Sequence, residues 1–79
     1  MFLKRLGPDP RASGACSDSV GCPDIWELDT GDFAVIGVDI TAAAMGQLPP
    51  GAGCAADECI IRLPRRLLVN AKRDIPDRL

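Results

Sequence analysis

The stretch Asp24-Ile-Trp-Glu-Leu-Asp-Thr-Gly-Asp-Phe-Ala-Val-Ile-Gly-Val-Asp-Ile40 decides the fold. Residues 24–28 and 33–40 are rich in β-branched and aromatic side chains, which favour strands. The Asp-Thr-Gly-Asp sequence between them is typical of a tight turn. The pattern therefore predicts a β-hairpin.

The register of this hairpin follows from the choice of turn. If Leu28 faces Phe33, then Trp26 faces Val35, and the four side chains form a cluster on one face of the sheet. The second strand is apolar on both faces, which is typical of a central strand covered on both sides. Gly37 within it indicates a bulge or a close backbone approach.

The remaining chain adds a third strand and two helices. Thr41 is a candidate N-cap for a short helix, and Pro64 suits the first turn of a second helix. We expect a helix over 42–47, a loop over 49–57, a strand over 58–63 and a helix over 65–74. The predicted fold class is α+β in the order ββαβα, with a small three-stranded antiparallel or mixed sheet.

The chain of 79 residues divides into an N-terminal arm, one domain and a short tail. Residues 1–23 hold many prolines, glycines and serines, a composition that disfavours packing, so we expect a flexible N-terminal arm. The alternative is that Phe2, Leu3 and Leu6 dock on the domain. A single α+β domain over residues 24–75 follows, with a tail over 76–79.

The amino-acid composition argues against some classes of function. There is no histidine, which removes the commonest general base and the Cys–His and Ser–His nucleophilic pairs. We therefore expect no enzyme. No apolar run is long enough for a membrane span or resembles a signal peptide, and the prediction is a cytoplasmic protein.

Charge is distributed asymmetrically although the net charge is only −2. Residues 24–58 carry seven acids and no base, whereas residues 60–79 carry six bases against two acids. The candidate partner-binding residues are a tryptophan and three bases: Trp26, Arg62, Arg65 and Arg66. The alternatives are that Trp26 is a core residue, and that the bases are solvated or pair with Asp24, Glu27 or Asp32.

The cysteines allow three interpretations. Their arrangement in two pairs suggests a four-cysteine zinc site formed by Cys16, Cys22, Cys54 and Cys59. Only the second pair has the usual ligand spacing, and a reducing compartment disfavours disulfides. The expectation is four unlinked thiols with no metal or other cofactor, and zinc and disulfides stay as alternatives.

Two segments carry a resemblance to a known family. They are Cys22-Pro-Asp-Ile-Trp-Glu-Leu-Asp-Thr-Gly-Asp-Phe-Ala-Val-Ile-Gly-Val-Asp39 and Ile61-Arg-Leu-Pro-Arg-Arg-Leu-Leu-Val69. Over roughly residues 22–73 the chain resembles small actinobacterial proteins and, distantly, the short family that includes the bald-B developmental regulator. It departs in the longer loop of residues 41–58, and Leu67-Leu68 stand where that family usually has a Trp. The resemblance implies regulatory protein contacts, in particular with helix-turn-helix regulators.

The predicted function is thus a non-catalytic, regulatory protein-interaction module that acts with a protein partner or as a homodimer. Two alternatives remain: a zinc-stabilised binding domain, and a nucleic-acid accessory protein that uses the basic C-terminal helix. The acidic half of the chain would repel nucleic acid, which makes direct binding the weaker alternative.

Overall fold

Five strands and two short helices form the fold of this computed structural model, which describes residues 1–16 and 21–79. Each helix continues as a single 3-10 turn, Met45–Gln47 after the first and Lys72–Asp74 after the second. The α+β class predicted from the sequence is confirmed. In chain order the elements are β1 (Phe2–Arg5), β2 (Asp24–Leu28), β3 (Phe33–Ile36), β4 (Val38–Asp39), α1 (Thr41–Ala44), β5 (Ile61–Arg62) and α2 (Arg65–Ala71).

The strands form two antiparallel sheets. The larger has the order β1-β2-β3, with β2 in the centre, and β4 pairs with β5 in the smaller one. The predicted strand over 58–63 is therefore reduced to β5 and does not join the hairpin. The third strand of the main sheet is β1 instead.

The N-terminal residues belong to the folded domain. Phe2, Lys4 and Arg5 pair with β2, and Leu6 is only 3% exposed. The predicted flexible arm is thus wrong for residues 2–10, and the domain starts at Phe2 rather than at Asp24. The alternative, docking of the apolar residues at the start of the chain, is confirmed for Phe2, which contacts Trp26, and for Leu6, which is buried. Residues 17–20 of the predicted arm lie outside the described part of the chain.

The hairpin register differs from the predicted one by one residue. Asp29, Thr30 and Gly31 form a three-residue loop: the Leu28 amide donates to the Asp32 carbonyl at 2.8 Å, and Gly31 has a φ of +92°. A glycine in this left-handed region is what a type I turn followed by a one-residue bulge requires. As a result Trp26 lies opposite Ala34, and the predicted pairs of Trp26 with Val35 and Leu28 with Phe33 are wrong.

The core lies on one face of the main sheet, under α2. Leu67 and Ala71 of the helix pack with Leu6 and Ile25 of the sheet, and these four side chains form the apolar core cluster of the described residues. Because Leu6 and Ile25 belong to the β1 and β2 side of the sheet, α2 leaves β3 largely uncovered.

Gly37 divides the predicted strand over 33–40 into β3 and β4, which belong to different sheets. A Cβ atom at this position would lie 2.6 Å from Ile61 Cγ2 and 2.8 Å from the Arg62 carbonyl oxygen. The predicted close backbone approach is confirmed, and it is the approach of the β5 segment.

We predict that Gly37→Ala lowers the free energy of unfolding by roughly 1–3 kcal/mol, because β5 must move to accept the methyl group. Urea titration followed by circular dichroism measures the change. The matched control is Gly46→Ala, since nothing lies within 4 Å of its added Cβ. That variant should be neutral or more stable by up to about 1 kcal/mol. Equal effects of the two substitutions would contradict the close approach at Gly37.

Candidate functional site

Trp26 belongs to a cluster that ties β1 to β2. Its ring meets the ring of Phe2 edge-on, with centroids 6.0 Å apart, and the Arg5 guanidinium carbon lies 4.7 Å from its centroid. The side chain is half-buried. Since successive residues of a strand point to opposite faces, Trp26 lies on the face opposite to Ile25 and α2.

Arg5 is held by a nearly buried carboxylate. Its Nε lies 3.1 Å from both Asp24 carboxylate oxygens, and its Nη2 lies 3.0 Å from Asp24 Oδ2. Asp24 is 7% exposed. This forked geometry is the strong form of an arginine–carboxylate pair, and the hydrogen bond to Asp24 raises the pKa of Arg5. The pair therefore ties β1 to the start of β2.

Within the part of the chain that the structure describes, the basic residues of the C-terminal half form no salt bridge. Among the described residues, salt bridges join the N-terminal amine to Asp29, Arg5 to Asp24, and Arg5 to Asp9. The alternative that the C-terminal bases pair with Asp24, Glu27 or Asp32 is thus wrong for the described part of the chain. The exposed bases of α2 and its 3-10 turn, which we term the basic helix surface, are Arg65, Arg66, Lys72 and Arg73.

The four predicted partner-binding residues do not form one site. Trp26 lies on the sheet face that α2 does not cover. Arg66 crosses to the N-terminal segment, where its Nη1 atom lies 2.7 Å from a Cβ built on Gly14. Arg62 belongs to β5 and lines a cleft beside the cysteine pair, whereas Arg65 lies at the start of α2.

The free edge of β3 is the surface that the analysis of single residues missed. Phe33 and Val35 are 43% and 44% exposed, and Ile36 is 53% exposed. The strand contains no charged residue. The other edge, β1, carries Lys4 and Arg5 and has an irregularity between Phe2 and Lys4, two features that discourage strand addition. The open edge of this sheet is therefore β3.

Two cysteines are joined. Cys16 and Cys22 form a disulfide, so the expectation of four unlinked thiols is wrong for this pair. Cys54 and Cys59 are free. The disulfide engages two of the four sulfur atoms that the four-cysteine zinc alternative needs, and within residues 1–16 and 21–79 no three potential ligands of the Cys, His, Asp and Glu types converge.

A second polar cluster joins α1 to β5. Thr41 was expected to cap α1 but is its first residue. Its hydroxyl and amide donate to Asp39 Oδ1 at 2.6 and 2.9 Å, and the hydroxyl accepts from the Ile60 amide at 2.8 Å. The bonds from Thr41 lower the pKa of Asp39, which keeps the carboxylate charged. The cluster is a structural connection between the two segments.

The environment of the Cys54 thiol opposes its ionisation. Burial, followed by the charge of Glu58, raises the pKa of the Cys54 thiol above its ordinary value. A raised pKa lowers the fraction of thiolate, which is the nucleophilic form. This environment does not favour a catalytic role for Cys54.

Comparison with known proteins adds no relative: no family model, no curated protein and no solved structure matches the chain. The resemblance to the bald-B family stays a prediction. In the described residues, no helix has the length and apolar character needed to cross a membrane.

We predict that the denatured, unreduced protein contains two titratable thiols and that reduction raises the number to four, because only Cys54 and Cys59 are free. The double variant Cys16→Ser/Cys22→Ser should lose about 2 kcal/mol of unfolding free energy through loss of the closed loop. Cys59→Ser, at an exposed free thiol, is the control and should change stability by less than about 0.5 kcal/mol. Four thiols before reduction would contradict the disulfide.

Proposed function

We propose that the protein is a non-catalytic protein-interaction module whose partner is a second copy of the same chain, bound through the free edge of β3. The observation that carries the proposal is an exposed, uncharged edge strand beside a core of four buried side chains. A domain of this size gains stability by burying such a surface in an interface.

The hairpin register identifies the backbone groups available for pairing. Hydrogen-bonded and non-hydrogen-bonded positions alternate along an antiparallel pair. Because Leu28 donates to Asp32, the backbone groups of Ala34 and Ile36 also point toward β2. Those of Phe33 and Val35 consequently point outward, where they can bond to an added strand.

Two copies of β3 fit together around a two-fold axis at Ala34. This arrangement sets Phe33 of each copy opposite Val35 of the other, so that their outward N–H and C=O groups exchange hydrogen bonds. Asp32 then lies opposite Ile36, and no two acids face each other. Ala34 meets its own symmetry mate, and the small side chain allows a close approach.

The neighbouring sheet does not obstruct this edge. Leu63, which follows β5, packs against the core formed by Leu6, Ile25, Leu67 and Ala71. The segment after β5 therefore turns toward the β1 and β2 side of the molecule.

The cytoplasmic location stays a prediction from the sequence. The disulfide weighs against it, because cytosolic reductants keep most protein thiols reduced. The regulatory role that the resemblance implies would be exerted by the dimer on a further protein, and the basic helix surface is a suitable contact for an acidic one.

The nucleic-acid alternative has one supporting observation, the unpaired bases of the basic helix surface. We predict that random duplex DNA gives no anisotropy change at physiological salt, because the seven acids of residues 24–58 repel phosphate. Binding that weakens steeply as salt is raised would contradict this and favour the nucleic-acid function.

We predict that Val35→Lys weakens self-association at least about tenfold, because a lysine on an edge strand opposes the addition of another strand. Sedimentation velocity over a range of protein concentrations measures the dissociation constant. The matched control is Val69→Lys on α2, which is 60% exposed and lies away from β3. It should leave self-association unchanged.

Circular dichroism and thermal unfolding establish that both variants fold. A wild-type protein that stays monomeric at every concentration, or two variants that weaken association equally, would contradict dimerisation through β3.

A further inference from the structure

A cleft of about 350 Å³ lies where the two sheets meet. One wall is the Cys16–Cys22 disulfide, and the opposite side is formed by Ile36 and Val38, with Arg62 and Pro64 of the next segment beside them. Its volume is near the lower end of the roughly 300–1,000 Å³ range of small-molecule sites. The size suits a small ligand.

The lining residues that the structure describes are mainly apolar. Proline has no backbone N–H, a disulfide has no hydrogen-bond donor, and the exposed side chains of Ile36 and Val38 are aliphatic. Gly37, between them, is fixed by the close approach of β5. A site whose walls are already in place loses little conformational entropy when a ligand binds.

Among the described residues, Arg62 is the charged side chain of this lining. It lies opposite Val38 in the β4–β5 pair, so the two side chains share a face of the smaller sheet. Within the described residues it forms no salt bridge. Its guanidinium is therefore available to a carboxylate, which it can bind through two parallel hydrogen bonds.

We propose that this cleft binds a small carboxylate with a compact apolar body, whose acid group pairs with Arg62 while the body contacts Ile36, Val38 and the disulfide. A phosphate monoester is less suitable, because it carries almost two charges and the lining contains one cation. The site does not use the outward backbone groups of Phe33 and Val35, so a monomer can bind the ligand.

The test uses octanoate as the probe and 1-octanol as the uncharged probe of equal chain length. Methyl-resolved NMR titration should show shifts of Ile36 and Val38 with octanoate, with the methyl groups of Leu68 and Val69 on α2 as internal reference. Octanol should bind at least about tenfold more weakly, since a charge-assisted hydrogen bond contributes about 1.5–3 kcal/mol.

Arg62→Gln should weaken octanoate binding by about tenfold or more through loss of the same contact. Arg65→Gln is the matched control, because Arg65 is an exposed base that does not line the cleft. Equal affinity for octanoate and octanol, equal effects of the two arginine variants, or shifts confined to Leu68 and Val69 would overturn the proposal.

The Val35→Lys variant separates this inference from the proposed dimer. Octanoate should bind that variant and the wild-type protein equally. Loss of octanoate binding in Val35→Lys would contradict the cleft as an independent site, whereas loss of dimerisation alone leaves it intact.

Discussion

The contact of α2 with the β1 and β2 side of the main sheet is the constraint on which the rest of the structure depends. Leu67 and Ala71 cover Leu6 and Ile25, and a helix of seven residues extends no further across the sheet. The Arg5–Asp24 pair holds β1 in place beneath it. Because the helix packs on this side, Phe33 and Val35 stay exposed on β3, and the surface that we propose for dimerisation follows from this packing.

The sequence was sufficient where local signals decide the structure. Alternating apolar residues and the Asp-Thr-Gly-Asp turn specified the hairpin, and Pro64 marked the start of α2. The register of the hairpin depended on whether Gly31 takes the left-handed conformation. The predicted register was wrong by one residue, so it placed Phe33 and Val35 on the face of Trp26, whereas they lie on the opposite face. The sequence did not predict β1. Arg5 of this strand contacts Asp24 and Trp26, which lie far along the chain, and no local sequence pattern indicates a pairing over that distance.

The sequence predicted individual features of the candidate site but not how the fold arranges them. The acidic and basic segments of the chain were evident from the composition. Whether they neutralise each other depended on the fold. In the described residues, no salt bridge joins the basic helix surface to an acid. The cleft beside Arg62 combines residues from the N-terminal loop, the β3–β4 junction and β5. The cleft also includes the Cys16–Cys22 disulfide, which neither the spacing nor the expected compartment indicated.

The most direct test of the account is amide hydrogen exchange along β3, measured by NMR in dilute and in concentrated protein. The amides of Ala34 and Ile36 point toward β2 and should exchange slowly at both concentrations. Those of Phe33 and Val35 point outward; they should exchange rapidly in dilute protein and become protected as the concentration rises. Rapid exchange of Phe33 and Val35 at every concentration, or new protection on α2 instead, would contradict association through the free edge of β3.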